Sequence, residues 1–137
     1  MITEEMKPAM QGMVPSTIVT CALDGTPNAT VISQVYYVDE LHVALSFQFF
    51  NKTIKNVREN PHAAVTIIHP LTCENWTLEI EYIRSEKKGP VFDNMEMQLE
   101  AIASMSGMTG IFKLIAADFY RVKSAAKNVS IPFIMEN

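Results

Sequence analysis

The chain has 137 residues, 48% of them apolar, which is enough for one buried core without disulfide or metal staples and too short for a separate cofactor-binding half. Lys and Arg number 11 against 15 Asp and Glu, and the resulting net charge of -4 argues against the broad basic face that a nucleic-acid binder needs. Cys21 and Cys73 stand apart with no CxxC spacing and read as buried apolar thiols of a reducing cytoplasm; the uncharged stretch 41–51 is too short to span a bilayer, and Glu4 and Glu5 stand where an export signal places positive charge.

No repeat or low-complexity segment interrupts the chain, which reads as one folding unit over residues 1–122 followed by a tail over 123–137. Thr3 precedes a short capped helix with Met6, Met10 and Met13 along one side. Residues 16–23 are β-branched and apolar, Asp24-Gly25-Thr26-Pro27 supplies a turn, and residues 28–38 resume the strand pattern. A turn at Asp39-Glu40 and a third strand over 41–47 complete an expected antiparallel meander. In residues 51–60 the period changes: Ile54 and Val57 stand three apart among polar residues, and Pro61 ends what reads as a short helix starting near Asn51.

Residues 62–69 and 75–85 read as strands four and five, the latter alternating Leu78, Ile80 and Tyr82 against Thr77, Glu79 and Glu81. Pro90 opens an amphipathic helix with Phe92, Met95, Leu99, Ile102 and Met105 on its apolar stripe, ending at Gly107, and this helix is expected to cover one barrel end. A last strand occupies 110–122. Mostly antiparallel strands with short helices between them predict a mainly β fold, a six-stranded antiparallel Greek-key barrel whose curling removes exposed edges.

Catalytic signatures such as GxSxG, a P-loop, a dinucleotide fingerprint or HExxH are absent, so any chemistry belongs to a bound cofactor. His42, His62 and His69 match no metal-ligand spacing, and Glu79 and Glu81 read as the solvated face of a strand. The informative segment is 46–53, where a strand ends, aromatics intervene and a helix begins with amide, cationic and hydroxyl side chains. A helix start presents unpaired N–H groups and a positive dipole end, so Lys52 and Thr53 can hold a phosphate there. The same residues also read as an Asn51 cap followed by a solvated lysine. Asn28 to Gln34 carries a density of small hydroxyl and amide groups suited to a flat polar ring, or to an ordinary strand with one wet face.

Asp24-Gly25-x-Pro27-Asn28, Thr30-Val31-Ile32-Ser33, His42-Val43-Ala44-Leu45-Ser46 and Asn51-Lys52-Thr53-x-x-Asn56-Val57-x-x-Asn60-Pro61 together resemble the pyridoxamine 5'-phosphate oxidase-like, FMN-binding split-barrel family, over about residues 3–122. The resemblance implies a split β-barrel homodimer with FMN in clefts between subunits, acting on a small-molecule substrate or electron donor. It implies that Asn51, Lys52 and Thr53 meet the FMN phosphate, that Asn28, Thr30, Val31, Ile32 and Ser33 edge the flavin ring, and that Ser46, Phe47 and Gln48 lie beside the ribityl chain. Trp76 and Thr77 match the strand that approaches the flavin from the other subunit.

Two departures follow. The oxidases themselves carry an Arg-x-His element near the C-terminus, whereas here the last strand ends Asp118-Phe119-Tyr120-Arg121-Val122 with no following histidine, which argues against vitamin B6 oxidation. One residue more than in those oxidases also separates Ser46 from Lys52, so Phe49-Phe50 reshapes the segment. The resemblance thus implies an FMN-dependent oxidoreductase passing electrons to a small acceptor, or a non-catalytic module holding flavin, deazaflavin or haem.

Overall fold

A computed structural model describes residues 1–10, 14–47, 52–105, 107 and 113–128. A 3-10 helix, Glu4–Met10, leads into β1 (Ser16–Cys21), β2 (Pro27–Ile32), β3 (Val35–Asp39) and β4 (His42–Phe47). Then come α1 (Lys52–Glu59), β5 (His62–Ile68), β6 (Asn75–Glu86), α2 (Pro90–Met105) and β7 (Ala116–Lys127). All strands join one antiparallel sheet in the order β2-β1-β5-β6-β7-β4-β3. The expected split barrel is present with seven strands instead of six.

The extra strand comes from a break in the expected strand over 28–38. β2 pairs with β1 as far as Ile32↔Ser16, and β3 pairs with β4 from Val35↔Leu45, so Ser33 and Gln34 carry the chain from one sheet edge to the other. The three strands are therefore not a meander, because β2 and β3 are not neighbours. The physical cause lies in the apolar phase. Strict alternation from Ile32 would turn Gln34 and Tyr36 inward, whereas the break sets Val35 and Tyr37 against the barrel core and Tyr36 and Val38 against the opposite layer. The crossing is fastened by Gln34 N donating to Ser46 Oγ at 3.1 Å and Ser46 N donating to the Gln34 carbonyl at 3.2 Å.

Alternate residues from the curled sheet fill the interior: Ile18, Val43, Leu45, Val65, Ile67, Leu78, Ile80, Tyr120 and Val122, joined by Met6 and Met10 of the 3-10 helix. Met13 lies outside the described residues. The β1–β2 hairpin turns at Gly25, whose φ of +90° disfavours any side chain, while Asp24 Oδ1 accepts from Thr26 N at 2.9 Å. In the β5–β6 turn His69 Nδ1 accepts from the backbone of Leu71 and Thr72 at 3.1 and 3.3 Å. His42 Nδ1 lies 2.8 Å from Asp39 Oδ1 at the β3–β4 turn. These two histidines organise turns.

α2 departs from its expected place. Its buried residues Met95 and Leu99 pack with Ala44, Ala117 and Phe119, whose side chains leave the sheet on the side away from the barrel interior. The helix thus covers the outer face of β4 and β7 and does not close a barrel end. Met105, expected on the stripe, is 75% exposed. β7 also differs from expectation, since it begins at Ala116 and runs on to Lys127, paired with Trp76. The first residues of the expected tail therefore belong to the sheet, because β6 is long enough to offer them partners.

The packing of α2 makes a direct prediction. Met95→Ala, which empties a fully buried site, should cost about 2–5 kcal/mol in urea unfolding, whereas Met97→Ala on the exposed face of the same helix should stay within about 0.5 kcal/mol.

Candidate functional site

The site forms where α1 begins. An isolated helix of eight residues is not stable in water, so α1 depends on what it packs against. Ile54 and Val57, 4% and 1% exposed, enter the barrel core and contribute about 1.5–3 kcal/mol each. The polar residues on the neighbouring stripe are equally committed. Asn56 Nδ2 donates to Thr20 Oγ1 at 3.1 Å, Asn60 Nδ2 donates to the Cys21 carbonyl at 3.2 Å, and Asn28 Nδ2 donates to Thr53 Oγ1 at 3.3 Å. The Asn-x-x-x-Asn pattern of this helix thus clamps it to β1, and Asn28 of β2 holds its first turn.

This arrangement leaves Lys52 exposed at the helix start and Thr53 buried beside it, with no acidic residue in the first turn. The helix dipole and the lysine charge therefore act in the same direction on an incoming anion. Asn28, Thr30 and Ile32 share one side of β2, the side that faces the core, as their cross-strand partners Thr20, Ile18 and Ser16 require. Val31 points the other way and is 66% exposed. Ser33 lies at the edge crossing and Ser46 fastens it from β4, while Phe47 is buried. Gln48 and Asn51 lie outside the described residues.

Trp76 and Thr77 do not join this cluster within the chain. They begin β6, separated from β2 by β5 and β1 in the sheet. Trp76 is 4% exposed within the core, and the Thr77 hydroxyl donates to Asn128 Oδ1 at 3.0 Å. Glu79 accepts from Ser124 Oγ at 2.9 Å and Glu81 from Arg121 at 2.8 Å, which makes them parts of the wet outer face.

Two buried polar residues stand out: Gln34, read from sequence only as the end of the 28–34 segment, and Asp118, which the sequence reading did not single out. Gln34 is 1% exposed; its Nε2 donates to Gln98 Oε1, and its own Oε1 is buried with no hydrogen-bond partner among the described residues. Asp118 is 6% exposed and shares a cavity of about 20 Å³ with Ser46, Phe47, Thr53 and Tyr120. The signal for Asp118 was its phase: Ala116, Tyr120 and Val122 alternate into the core, and the carboxyl falls in the same row. Ser85 Oγ donates to Asp118 Oδ1, so the Tyr82 hydroxyl, 2.6 Å from Ser85, donates to the serine in turn. Tyr82 meets Tyr120 edge to face, with ring centroids 5.5 Å apart. Burial pushes the Asp118 carboxyl up to about 6, against the opposing effects of the Ser85 hydrogen bond and the Arg58 charge. Burial, then the Asp118 charge, pushes the Tyr120 hydroxyl up as well.

Residues 2–122 match the family model described as pyridoxamine 5'-phosphate oxidase. An uncharacterized protein of Methanocaldococcus jannaschii is 34% identical over 67 residues, so the chain spans 44% of the length of that curated relative, with 47% of its own. Among solved structures, an FMN-binding protein from Syntrophomonas wolfei subsp. wolfei matches with a TM-score of 0.73 at 14% identity, over 93% of this chain and 88% of that one. An F420 reductase matches at 0.66 and 12% identity, over 93% and 100%. HutZ, described as the haem storage protein from Vibrio cholerae, matches at 0.59 and 14% identity, over 96% and 99%. At such identities the likeness to solved structures is one of fold.

The buried carboxyl gives a pH-dependent prediction. Asp118 ionises near the ordinary 3.8 in the unfolded chain and at about 6 in the folded one, so the folded state holds the extra proton between these values and loses stability as pH rises through them. Asp118→Asn keeps an acceptor for Ser85 and removes that loss. Relative to the parent, it should gain roughly 3 kcal/mol in urea unfolding between pH 3.5 and pH 7.5. A difference that is the same at both pH values would refute the assignment.

Proposed function

The chain belongs to the pyridoxamine 5'-phosphate oxidase family, and from that premise we propose that it is an FMN-binding protein that passes electrons from reduced flavin to a small acceptor. The observation that carries this reading is the start of α1. An exposed Lys52, a helix N-terminus without an acidic residue and a Thr53 hydroxyl held by Asn28 suit a phosphate of charge about -1.5 to -2. Beside it, Asn28, Thr30 and Ile32 of β2 face the same side as the first turn of α1, where small polar groups suit the edge of a polar ring. Bound FMN would supply the redox chemistry. The chain's own part is to fix the phosphate at Lys52 and Thr53 and to offer an edge of small polar groups to the ring.

The working unit in this reading is a cytoplasmic homodimer with FMN between the subunits. Supporting it, Thr77 lies strands away from Lys52 within one chain, so its approach to the same flavin needs a second copy. Val19 and Val31, 43% and 66% exposed, also leave an apolar outer face on β1 and β2 for that copy to cover. Cys21, half-buried, and Cys73, exposed at the β5–β6 turn where burial was expected, are free thiols, as a reducing compartment maintains them. No described helix is long and apolar enough to cross a membrane. A second reading, a module that holds flavin, deazaflavin or haem without turnover, draws on fold neighbours described as an F420 reductase and a haem storage protein.

The purified protein should be yellow with a flavin absorption spectrum, and Lys52→Ala combined with Thr53→Ala should weaken FMN binding by roughly 10- to 100-fold in a fluorescence titration. Colourless protein that fails to bind added FMN would overturn the proposal. Sustained NADH or NADPH oxidation with an added acceptor separates the enzyme from the storage module.

A further inference from the structure

Asp118 has no part in holding α1 or in closing the barrel, yet it lies in the cavity behind the first turn of that helix. The cavity, about 20 Å³, has room for roughly one water and is bounded by Thr53 and Ile54 of α1, Ser46 and Phe47 of β4, and Asp118 and Tyr120 of β7. A ligand anion at Lys52 and Thr53 would lie on the outer side of the first turn of α1, while the Asp118 carboxyl lies on its inner side, itself withdrawn from solvent and sharing the void with Thr53. Two like charges so placed cannot both be comfortable.

Resting on the phosphate-site reading above, we propose that Asp118 is a proton-linked regulator of the α1 anion site: binding of the phosphate requires or drives protonation of the Asp118 carboxyl, so that the site takes up a proton as it fills. The groups around the carboxyl allow this. From β6 it meets the Ser85 hydroxyl, backed by Tyr82, and from β7 the Tyr120 ring lies on the same side of the strand. The cavity residues of β1, β2 and β4 bring no titratable group to it. α1 brings Arg58, which is exposed, so solvent weakens its hold on the ionised form. The Ser85 hydroxyl can donate to a carboxylate or accept from a carboxylic acid, so both protonation states keep a partner. Because the carboxyl changes charge at about pH 6, the coupling operates close to neutrality.

The test compares FMN affinity of the parent and Asp118→Asn between pH 5 and 7.5, reading the ratio of their dissociation constants so that the phosphate's own titration cancels. The ratio should stay near one at pH 5 and rise by roughly tenfold in favour of the variant at pH 7.5. A ratio independent of pH overturns the proposal while leaving the flavin reading intact. A second measurement needs no variant: the carbon-13 resonance of the Asp118 carboxyl, followed against pH in the parent, should move its midpoint upward when FMN is bound. If FMN binds neither protein, the flavin reading fails, and the same titration with inorganic phosphate at millimolar concentration takes over. A midpoint raised by phosphate upholds the coupling, and an unmoved midpoint overturns it.

Discussion

The structure depends on a single crossing. At Ser33 and Gln34 the chain passes from one edge of the sheet to the other, so the two edges are held within a peptide's length of each other and the sheet must curl. The reciprocal hydrogen bonds between Gln34 and Ser46 fix that passage, and burial of Ile32 and Val35 on the same side of the sheet accounts for the shift of phase that causes it. An interior for Ile18, Leu45 and Tyr120, and an outer layer under α2, both follow from the curl. So does the placement of Ser46 close to the start of α1.

A second constraint sits on the first. α1 is too short to be stable alone, and it is anchored by two apolar residues and by amides that satisfy polar atoms of β1. Its asparagines are therefore spent on position. At the helix start stand the exposed Lys52 and Thr53, whose hydroxyl is oriented by Asn28. The most family-specific motif of the sequence thus divides its residues, with its asparagines serving the fold and its lysine left exposed at the helix start. The buried Asp118 behind the same turn costs the ionised protein stability.

Much of this was legible in the residues. Apolar, β-rich runs between turns located β1, β4 and β5, and alternation located most of β6; Pro90 marked the start of α2; and the spacing of Ile54 and Val57 marked α1. The Asp24-Gly25 turn is where its chemistry places it. Less legible were features that depend on partners distant in sequence. Residues 28–38 look like one strand because nothing local shows that Ile32 and Val35 must face the same side. Met105 fits a helical stripe, but the sheet it would pack against ends before it. The place of Trp76 within its own chain, in the core, also depends on the curl of the sheet and not on its neighbours in sequence.

The sequence by itself determined the mainly β class, the positions of the turns and helix starts, and the residue types at the start of α1, because each depends on neighbours within a few residues. Only the tertiary structure decided the break that makes seven strands, the side of the sheet that α2 covers, and the burial of Asp118 beneath Thr53. Side-chain direction in a strand has a period of two, so one residue of register, set by a strand far away in the chain, decides whether a polar group meets water, a ligand or the core.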